Sequence, residues 1–539
     1  MTVINNKKQL TVYLILLVAI IIISNIVSRS LFFRFDLTDN KMYSLSNSSK
    51  QIIRKLDDRI IAKVYFSKDI PGQLANSRRY LQDLLEEYEA YSRGHFHFEF
   101  ITPDNDKKIQ EEAHDYGIFP LQAQVVENDK LEIKNIYMGL VFLYNGKQEV
   151  IQAIQTTEGL EYILTAAIKK ITATDLKTVG LVSRENKAFS TARLDQNLSQ
   201  TYTIRNLSLN HPIAADIQTL LMHGIDDTLS SEQFYNLDQF LMRGGQLFIG
   251  AGYVIAQLQE GLGYLNKSNL FNFLEHHGLR INRDLVIDQV CGQVQVQQRH
   301  GFFNIATAAN YPPFVTIQKF DKENLIVRGL EQVRLFFLNE ITPSDSSLHF
   351  TPLLQTSDKT GTVAISGIPR QGMLGRYSVI EGYNLTPHIR NSQYSNPAMT
   401  LFPHGPKTVA AMVEGDFRSY FAGNDLYNTK PGFRARSIGN TRILLVTDNE
   451  LFNDTRAGGI PENIDFMLNS IDYLSGDKEL IEIRSRTVTA RPLDKLSDGK
   501  RQFWKWLNIV LPALSVILLG IYRWKRDLDK RKLLEGIYG

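Results

Sequence analysis

"SSEQFYNLDQFLMRGGQLFIGAG", Ser230 to Gly252, reads as a capped helix, a turn at Gly244–Gly245 and an apolar strand. The same alternation surrounds it. Upstream lie the buried strand "TVGLVS" (Thr178–Ser183), the helix "TARLDQNLSQT" (Thr191–Thr201) and the strand "IQTLLMHG" (Ile217–Gly224). Far downstream, "TRILLVTDNELFND" (Thr441–Asp454) and "PENIDFMLNSIDYLSGD" (Pro461–Asp477) repeat the strand-then-helix order. Strands alternating with helices at this spacing predict a parallel sheet with helices on both faces. Between about Asp288 and Arg436 the chain is richer in short strands and Pro/Gly turns, and the sequence assigns no fold there.

Towards the N-terminus the pattern changes. "IIAKVYFS" (Ile60–Ser67) is a strand, and "SRRYLQDLLEEYEAYSRG" places Tyr80, Leu81, Leu84, Leu85 and Tyr88 at helical spacing, with Gly94 where a helix would stop. "HFHFEFIT" alternates, putting Phe96, Phe98 and Phe100 on one face and His95, His97 and Glu99 on the other. "DKKIQEEAHDYGI" is a second helix, "LQAQVVEN" a third strand, and "NIYMGLVFLYNGKQEVIQAI" continues through a turn at Asn145–Gly146. "TTEGLEYILTAAIKKIT" closes as a helix with Thr156 or Thr157 as N-cap. This β-α-β-α-β-β-α order is thioredoxin-like, and Pro120 falls where that fold commonly carries a cis-proline. The loop "SKDIPGQLANS" after the first strand has no cysteine, so no thioredoxin-type redox chemistry is expected.

Both ends of the chain are apolar. All three tryptophans, Trp504, Trp506 and Trp524, flank one segment near the C-terminus. A helix from Trp504 to Trp524 spans about 30 Å, the thickness of a hydrocarbon core, and indole rings favour the headgroup level. A buried C-terminal helix is the competing reading; it is weakened by the lack of a polar face between Ile509 and Ile521. "LTVYLILLVAIIIISNIV" (Leu10–Val27) carries no charge and follows Lys7 and Lys8. A cleaved signal peptide is the alternative, but the apolar run exceeds the usual h-region. Two spans, 10–28 and 504–524, with Lys/Arg-rich tails at 1–9 and 525–539, place both tails in the cytoplasm and the bulk outside it.

Composition excludes several classes of function. A hydrophobic share of 43 % and a charged share of 22 % are those of a globular chain. A net charge of +3, with no basic run interleaved with aromatics outside the tails, does not suggest nucleic acid. The single cysteine, Cys291, excludes an intramolecular disulfide and any multi-cysteine zinc site. "HGPKT" (His404–Thr408) lacks the upstream glycine of a phosphate-binding loop and has proline before its lysine, so the chain is not an ATPase of that type. No G-x-S-x-G elbow and no H-E-x-x-H occurs. His95 and His97 share a strand face that reads as polar surface, and His276–His277 read as surface too. Cys291 reads as a packed thiol, and the "GAG" of Gly250–Gly252 lacks the rest of a dinucleotide fingerprint. No catalytic residue, cofactor or metal site is expected.

"FFRFDLTDNKMYSLS" resembles the opening of GldG-like proteins, auxiliary membrane components of ABC transporters associated with gliding motility; the matching positions are Asp36, Leu37, Thr38, Tyr43, Leu45 and Ser46. Further matches lie in "GIFPLQAQVVENDKLEIKNIYMGLVFLYNGKQEVI" (Gly117, Gly139) and "GLEYILTAAIKK" (Leu160, Glu161, Tyr162). The helix-Gly-Gly-strand unit fits as well. So does "NSIDYLSGDKELIEIRSRTVTARPL", with Asn469, Asp472, Ile483, Arg484 and Pro492. The resemblance implies a noncatalytic subunit working beside a separate permease and ATPase. It also implies a middle domain similar to glutamine-amidotransferase-like α/β folds without their catalytic cysteine. The family occurs in bacteria that do not glide, so motility does not follow.

The reading is therefore an α/β bacterial inner-membrane protein with two spans, a thioredoxin-like module at 36–172 and a larger amidotransferase-like module at 177–490. Its expected partners are permease, ATPase and lipid bilayer. Asp36, Thr38, Tyr43 and Ser46 are the expected partner contacts, with Ser46 also able to cap a helix starting near Asn47. Trp504, Trp506 and Trp524 are the expected interface anchors. A membrane-anchored envelope hydrolase is one alternative. A ligand-binding sensor is another, and a deep pocket lined by aromatics at the sheet's C-terminal edge would favour it.

Overall fold

Ser46 sits in an extended conformation and its hydroxyl accepts the Ser49 N–H, which starts helix α1, Asn47–Arg54. The computed structural model describes residues 13, 15–20, 44–68, 70–104, 106–127, 130–183, 190–226, 228–300, 303–371, 377–385, 402–486 and 498–538. They fall into two units, Met1–Val488 and Thr489–Gly539.

In the first unit, strand β1 (Ile60–Phe66) leads through helix α2 (Gly72–Tyr91) to β2 (Phe96–Ile101), and the two strands pair in parallel. Helix α3 (Lys107–Asp115) follows, then β3 (Leu121–Glu127), β4 (Lys130–Ile136), β5 (Met138–Tyr144), β6 (Lys147–Ile151) and helix α4 (Leu160–Thr172). The sheet order is β2-β1-β5-β6, with β5 antiparallel to both neighbours. Strand β1 is covered on both faces. Ile60, Ala62, Val64 and Phe66 join Leu81, Leu84, Leu85, Leu164 and Ile168 from α2 and α4, while Tyr65 packs with Ala113, Ile118 and Val141 on the other face. The β5–β6 turn is at Asn145–Gly146, both with positive φ, as a two-residue hairpin demands.

Three expectations fail in this module. "LQAQVVE" is not the third strand of the sheet; it pairs only with β4, in a separate hairpin. Alternation shows that a segment is a strand but not which sheet receives it. Helix α4 is entered from Gly159 at φ +66 with no side-chain cap, and the Thr156 hydroxyl accepts the Glu158 N–H instead. No cis peptide occurs among the described residues, so Pro120 is trans.

The larger sheet has the order β18-β22-β23-β10-β9-β7-β8. Its parallel part comprises β7 (Thr178–Ser183), β8 (Thr203–Asn206), β9 (Ile217–His223), β10 (Gln246–Gly250) and β23 (Thr441–Val446). β22 (Thr408–Gly415) and β18 (His349–Gln355) close one edge antiparallel. Leu247 and Ile249 face helices α6 (Ser231–Met242) and α7 (Leu270–His276), whereas Phe248 faces α5 (Ala192–Leu198) and α9 (Pro461–Leu474). That period of two, apolar on both faces, is what a parallel sheet buried between helices requires. Helix α6 opens with a capping box of Ser230 and Gln233. The double glycine that follows is steric in origin: Gly244 has φ +94, and a Cβ on Gly245 would come within 2.5 Å of the Phe240 ring.

Strands between Val254 and Asn384 form three small antiparallel sheets, β17-β13-β19, β14-β15-β16 and β11-β12-β21-β20. They comprise β11 (Val254–Gln257), β12 (Leu262–Leu265), β13 (Leu279–Asp288), β14 (Cys291–His300), β15 (Phe303–Ile317), β16 (Val333–Phe336), β17 (Asn339–Pro343), β19 (Thr360–Val363), β20 (Ser366–Gln371) and β21 (Tyr377–Asn384). Within the stretch from about Asp288 to Arg436, to which the sequence assigns no fold, β18 and β22 instead join the large sheet and Asp425–Asn428 is a short helix, α8.

The second unit contains one long helix, Asp498–Tyr538, with Pro512 inside it. Among the described residues one helical stretch, Gly499–Lys530, is long and apolar enough to cross a membrane. Trp504, Trp506 and Trp524 lie on it and are exposed. Of the expected span at 10–28 only Tyr13 and residues 15–20 are described, and these are helical; the rest lies outside the described residues, so two spans are not shown.

Candidate functional site

The parallel strands β9, β10 and β23 end side by side, and their C-terminal ends bound a cavity of about 220 Å³. Ligands of doubly wound sheets bind outside this edge. Gly224 and Asp226 follow β9, while Asp448, Asn449 and Glu450 follow β23. Val254, Ile255, Ala256 and Leu258 come from β11 and its end, and Phe314, Phe336 and Phe337 form an aromatic wall. Thr455, Arg456 and Ile460 complete the rim beside a short 3-10 helix, Ala457–Gly459.

Polar side chains fasten these pieces together. The Asn449 amide donates to the carbonyls of Gly252 (3.0 Å) and Val254 (2.9 Å), and its oxygen accepts the Gly252 N–H (2.9 Å). Asp448 accepts the N–H groups of Phe336 and Glu450, each at 2.8 Å. Asn339 donates to the carbonyls of Arg283 and Asp284, accepts the Tyr253 N–H, and exchanges hydrogen bonds with Thr447. The corner between β16 and β17 is thereby pinned to the end of β23. Phe337 occupies this corner at φ +55, a conformation that bulky residues avoid. Its ring packs 5.5 Å from Phe314, which lies 4.4 Å from Phe336.

Burial decides the charge states. It pushes the Asp448 carboxyl up to about 7, against the two N–H groups that favour the carboxylate. It pushes the buried His223 imidazole, at the end of β9, down to about 4, so that ring is neutral at physiological pH. The "GAG" glycines serve close packing: a Cβ on Gly252 would meet the Thr447 carbonyl oxygen at 2.3 Å. The arrangement can enclose a small molecule against aromatic rings.

Residues singled out from the sequence fall elsewhere. Asp36, Thr38 and Tyr43 lie outside the described residues. Ser46 is buried; its N–H donates to Glu161 at 2.7 Å and its hydroxyl is engaged with Ser49, so the side chain is committed to capping. His97 pairs with Glu89 at the surface. His277, expected at the surface, is buried with Nδ1 2.8 Å from the Phe273 carbonyl, and burial pushes its pKa down to about 3. Adjacent helical residues point in different directions, and here one of the pair points into the core. Cys291 begins β14 half-buried, and burial pushes its thiol up to about 11.

Several residues that carried the family resemblance converge on one seam between the two modules. Arg484, on helix α10 (Lys478–Arg484), donates to Asn469 (2.6 Å), Tyr162 (2.7 Å) and Asp472 (2.9 Å). Its guanidinium also lies 4.4 Å from the Tyr162 ring centre. Asp477 binds Lys169 and Lys177, the Tyr202 hydroxyl donates to Asp472 and Asp477, and Ser48 donates to Glu482. Leu480 and Ile483 pack on Tyr162 and Ala166.

The residues that line the cavity escaped sequence reasoning, which named only the kind of pocket a sensor would carry at this edge. The available signal was "TDNE" directly after a buried strand, polar residues at the edge where such sheets hold ligands.

A curated, uncharacterized protein of Borreliella burgdorferi is 22 % identical over 527 residues, covering 93 % of this chain and 94 % of its own. Among solved structures, the mmIFT52 N-terminal domain aligns over 58 % of this chain and 99 % of its own, at 13 % identity and a TM-score of 0.30. The exo-β-1,4-mannosidase Op5Man5 from Opitutaceae bacterium strain TAV5 aligns over 78 % of this chain and 50 % of its own, at 10 % identity and a TM-score of 0.21. At these scores neither says anything about this chain's fold or chemistry. Residues 39–143 match a family described as a domain of unknown function, and residues 176–371 match one described as an ABC-type uncharacterized transport system. Over residues 176–371 the chain is thus similar to a family of ABC-type transport systems.

Proposed function

We propose that the chain is a noncatalytic auxiliary subunit of a bacterial ABC transport system, docked on a separate permease and ATPase. The observation that carries this is the family match over residues 176–371. The proposed topology has spans at 10–28 and 504–524, both tails cytoplasmic and the two modules outside. The apolar helix Gly499–Lys530 supports the second span, and Lys525, Arg526 and Lys530 after its last tryptophan support a cytoplasmic tail. The β2-β1-β5-β6 order, with β5 antiparallel, supports a thioredoxin-like reading of the first module. The parallel β23-β10-β9-β7-β8 core supports the amidotransferase-like reading of the second. The test is which polypeptides leave native membranes with the chain in mild detergent.

A second reading, that the external region senses a ligand, is favoured by the aromatic-walled cavity at the sheet's C-terminal edge. The two are compatible, since an auxiliary subunit can report a bound ligand to its transporter.

A further inference from the structure

We propose that the cavity at the C-terminal edge of β9, β10 and β23 binds a small organic cation, an amine or quaternary ammonium on an apolar body. This rests on the sensor reading and gives its ligand a chemical class.

Size comes first. At about 220 Å³ the cavity is smaller than the roughly 300–1,000 Å³ that hold drug-sized ligands, so its occupant is small. Its walls come next. Val254, Ile255, Ala256, Leu258 and Ile460 offer an apolar lining, and Phe314, Phe336 and Phe337 form a corner of rings. Phe314 stands at 50° to Phe336 and at 81° to Phe337, so the ring faces point in several directions, as in a partial aromatic cage. Ring faces are electronegative and attract cations, quaternary ammonium groups above all.

Charge points the same way. Among the described lining residues the ionisable ones are Asp226, Asp448, Glu450 and Arg456. The lining thus carries three carboxyls and one guanidinium, and Arg456 is exposed at the rim while Asp448 is buried. A cation entering the cavity favours the ionised Asp448, whose carboxyl titrates near neutrality. An anion would meet acids and ring faces, with a single exposed arginine to hold it.

The corner is also built at a cost. Phe337 is held at φ +55 by its N–H on the Pro313 carbonyl, while Phe336 is tied to Asp448 and Asn339 to Thr447. Three anchors around one strained aromatic keep the rings placed before any ligand arrives.

The test is isothermal titration calorimetry of the full chain in detergent, with benzyltrimethylammonium, benzyl alcohol and phenylacetate as probes. The cation is expected to bind at least tenfold more tightly than the other two. Glu450→Gln and Phe336→Ala should each weaken it about tenfold or more; Phe336→Leu replaces the alanine variant should that fail to fold. Tighter binding of benzyl alcohol or phenylacetate, lost in the Phe336 variant, overturns the cation assignment and leaves the sensor reading standing. Cation binding unaltered in both variants overturns the assignment to this cavity. No binding of any probe overturns the proposal and the sensor reading together.

Discussion

Arg484→Met removes the cation on which the seam between the two modules converges. The side chain is buried and makes three hydrogen bonds, to Asn469, Tyr162 and Asp472. Burial alone would lower its pKa, but the Tyr162 hydroxyl, Asp472 and Asp465 around it raise it. At Asp472 burial outweighs the pairing, and its carboxyl is held above the ordinary value even with Arg484 present. Methionine fills comparable volume without charge, so Asp472 loses its counterion and Asn469 and Tyr162 each lose a partner. Breaking a buried pair from one side costs about 3–5 kcal/mol. Removing Asp472 in the same chain should recover much of that, because a buried pair replaced on both sides is often near neutral. The double variant Arg484→Met/Asp472→Asn should therefore lie within about 2 kcal/mol of the parent. Denaturant unfolding of the full chain in detergent, followed by far-ultraviolet circular dichroism, reads both numbers. A single change costing under about 1 kcal/mol, or a double change costing the sum of the singles, refutes the reasoning.

Three further outcomes follow from the same structure. The Asp448 carboxyl is raised from 3.8 to about 7, so its contribution to stability is fully present below pH 3.8 and is lost as pH rises through about 7. The stability of Asp448→Asn relative to the parent should thus improve by up to about 4 kcal/mol between pH 4 and pH 8; a difference that stays flat with pH contradicts the burial argument. Gly252→Ala should destabilise by about 1–3 kcal/mol, since its Cβ would press on the Thr447 carbonyl, whereas Gly405→Ala, with nothing within 4 Å, should be silent. Equal unfolding midpoints would show that β10 and β23 can part without cost at this edge. In a Cys291→Ala background, Asn145→Cys should react with a membrane-impermeant thiol reagent in intact cells and Leu534→Cys should not; the reverse pattern inverts the topology.

Legibility in the sequence followed the range of the interactions. The helix-Gly-Gly-strand unit is readable because a short apolar run in "QLFIG" after a double glycine and a capping serine are local signals, and the structure sets both where expected. The β3–β4 hairpin was misplaced because pairing partners are a long-range property that alternation leaves open. His277 was misjudged because neighbouring residues on a helix share no face, and only the packing of Phe273 and Phe417 shows which one is inside. Tyr162, Asn469, Asp472, Ile483 and Arg484 are each named by the resemblance, yet nothing local brings Tyr162 to Arg484, which lie 322 residues apart. The cavity is harder still. Its wall is drawn from the segments after β9 and β23, from β11 and β15, from the β16–β17 corner and from the residues beside the 3-10 helix, places that meet only once both the sheet and the strand-rich stretch have formed.

The central claim is that this chain works as one part of a transporter. Affinity purification of the full chain from native membranes in mild detergent, with mass spectrometry of everything that elutes, tests it most directly. The account predicts a polytopic permease and a nucleotide-binding subunit in near-stoichiometric amounts, with ATP hydrolysis in the eluate that disappears when harsher detergent strips the chain free. Elution of the chain alone, with neither subunit enriched over a control membrane protein, would contradict it.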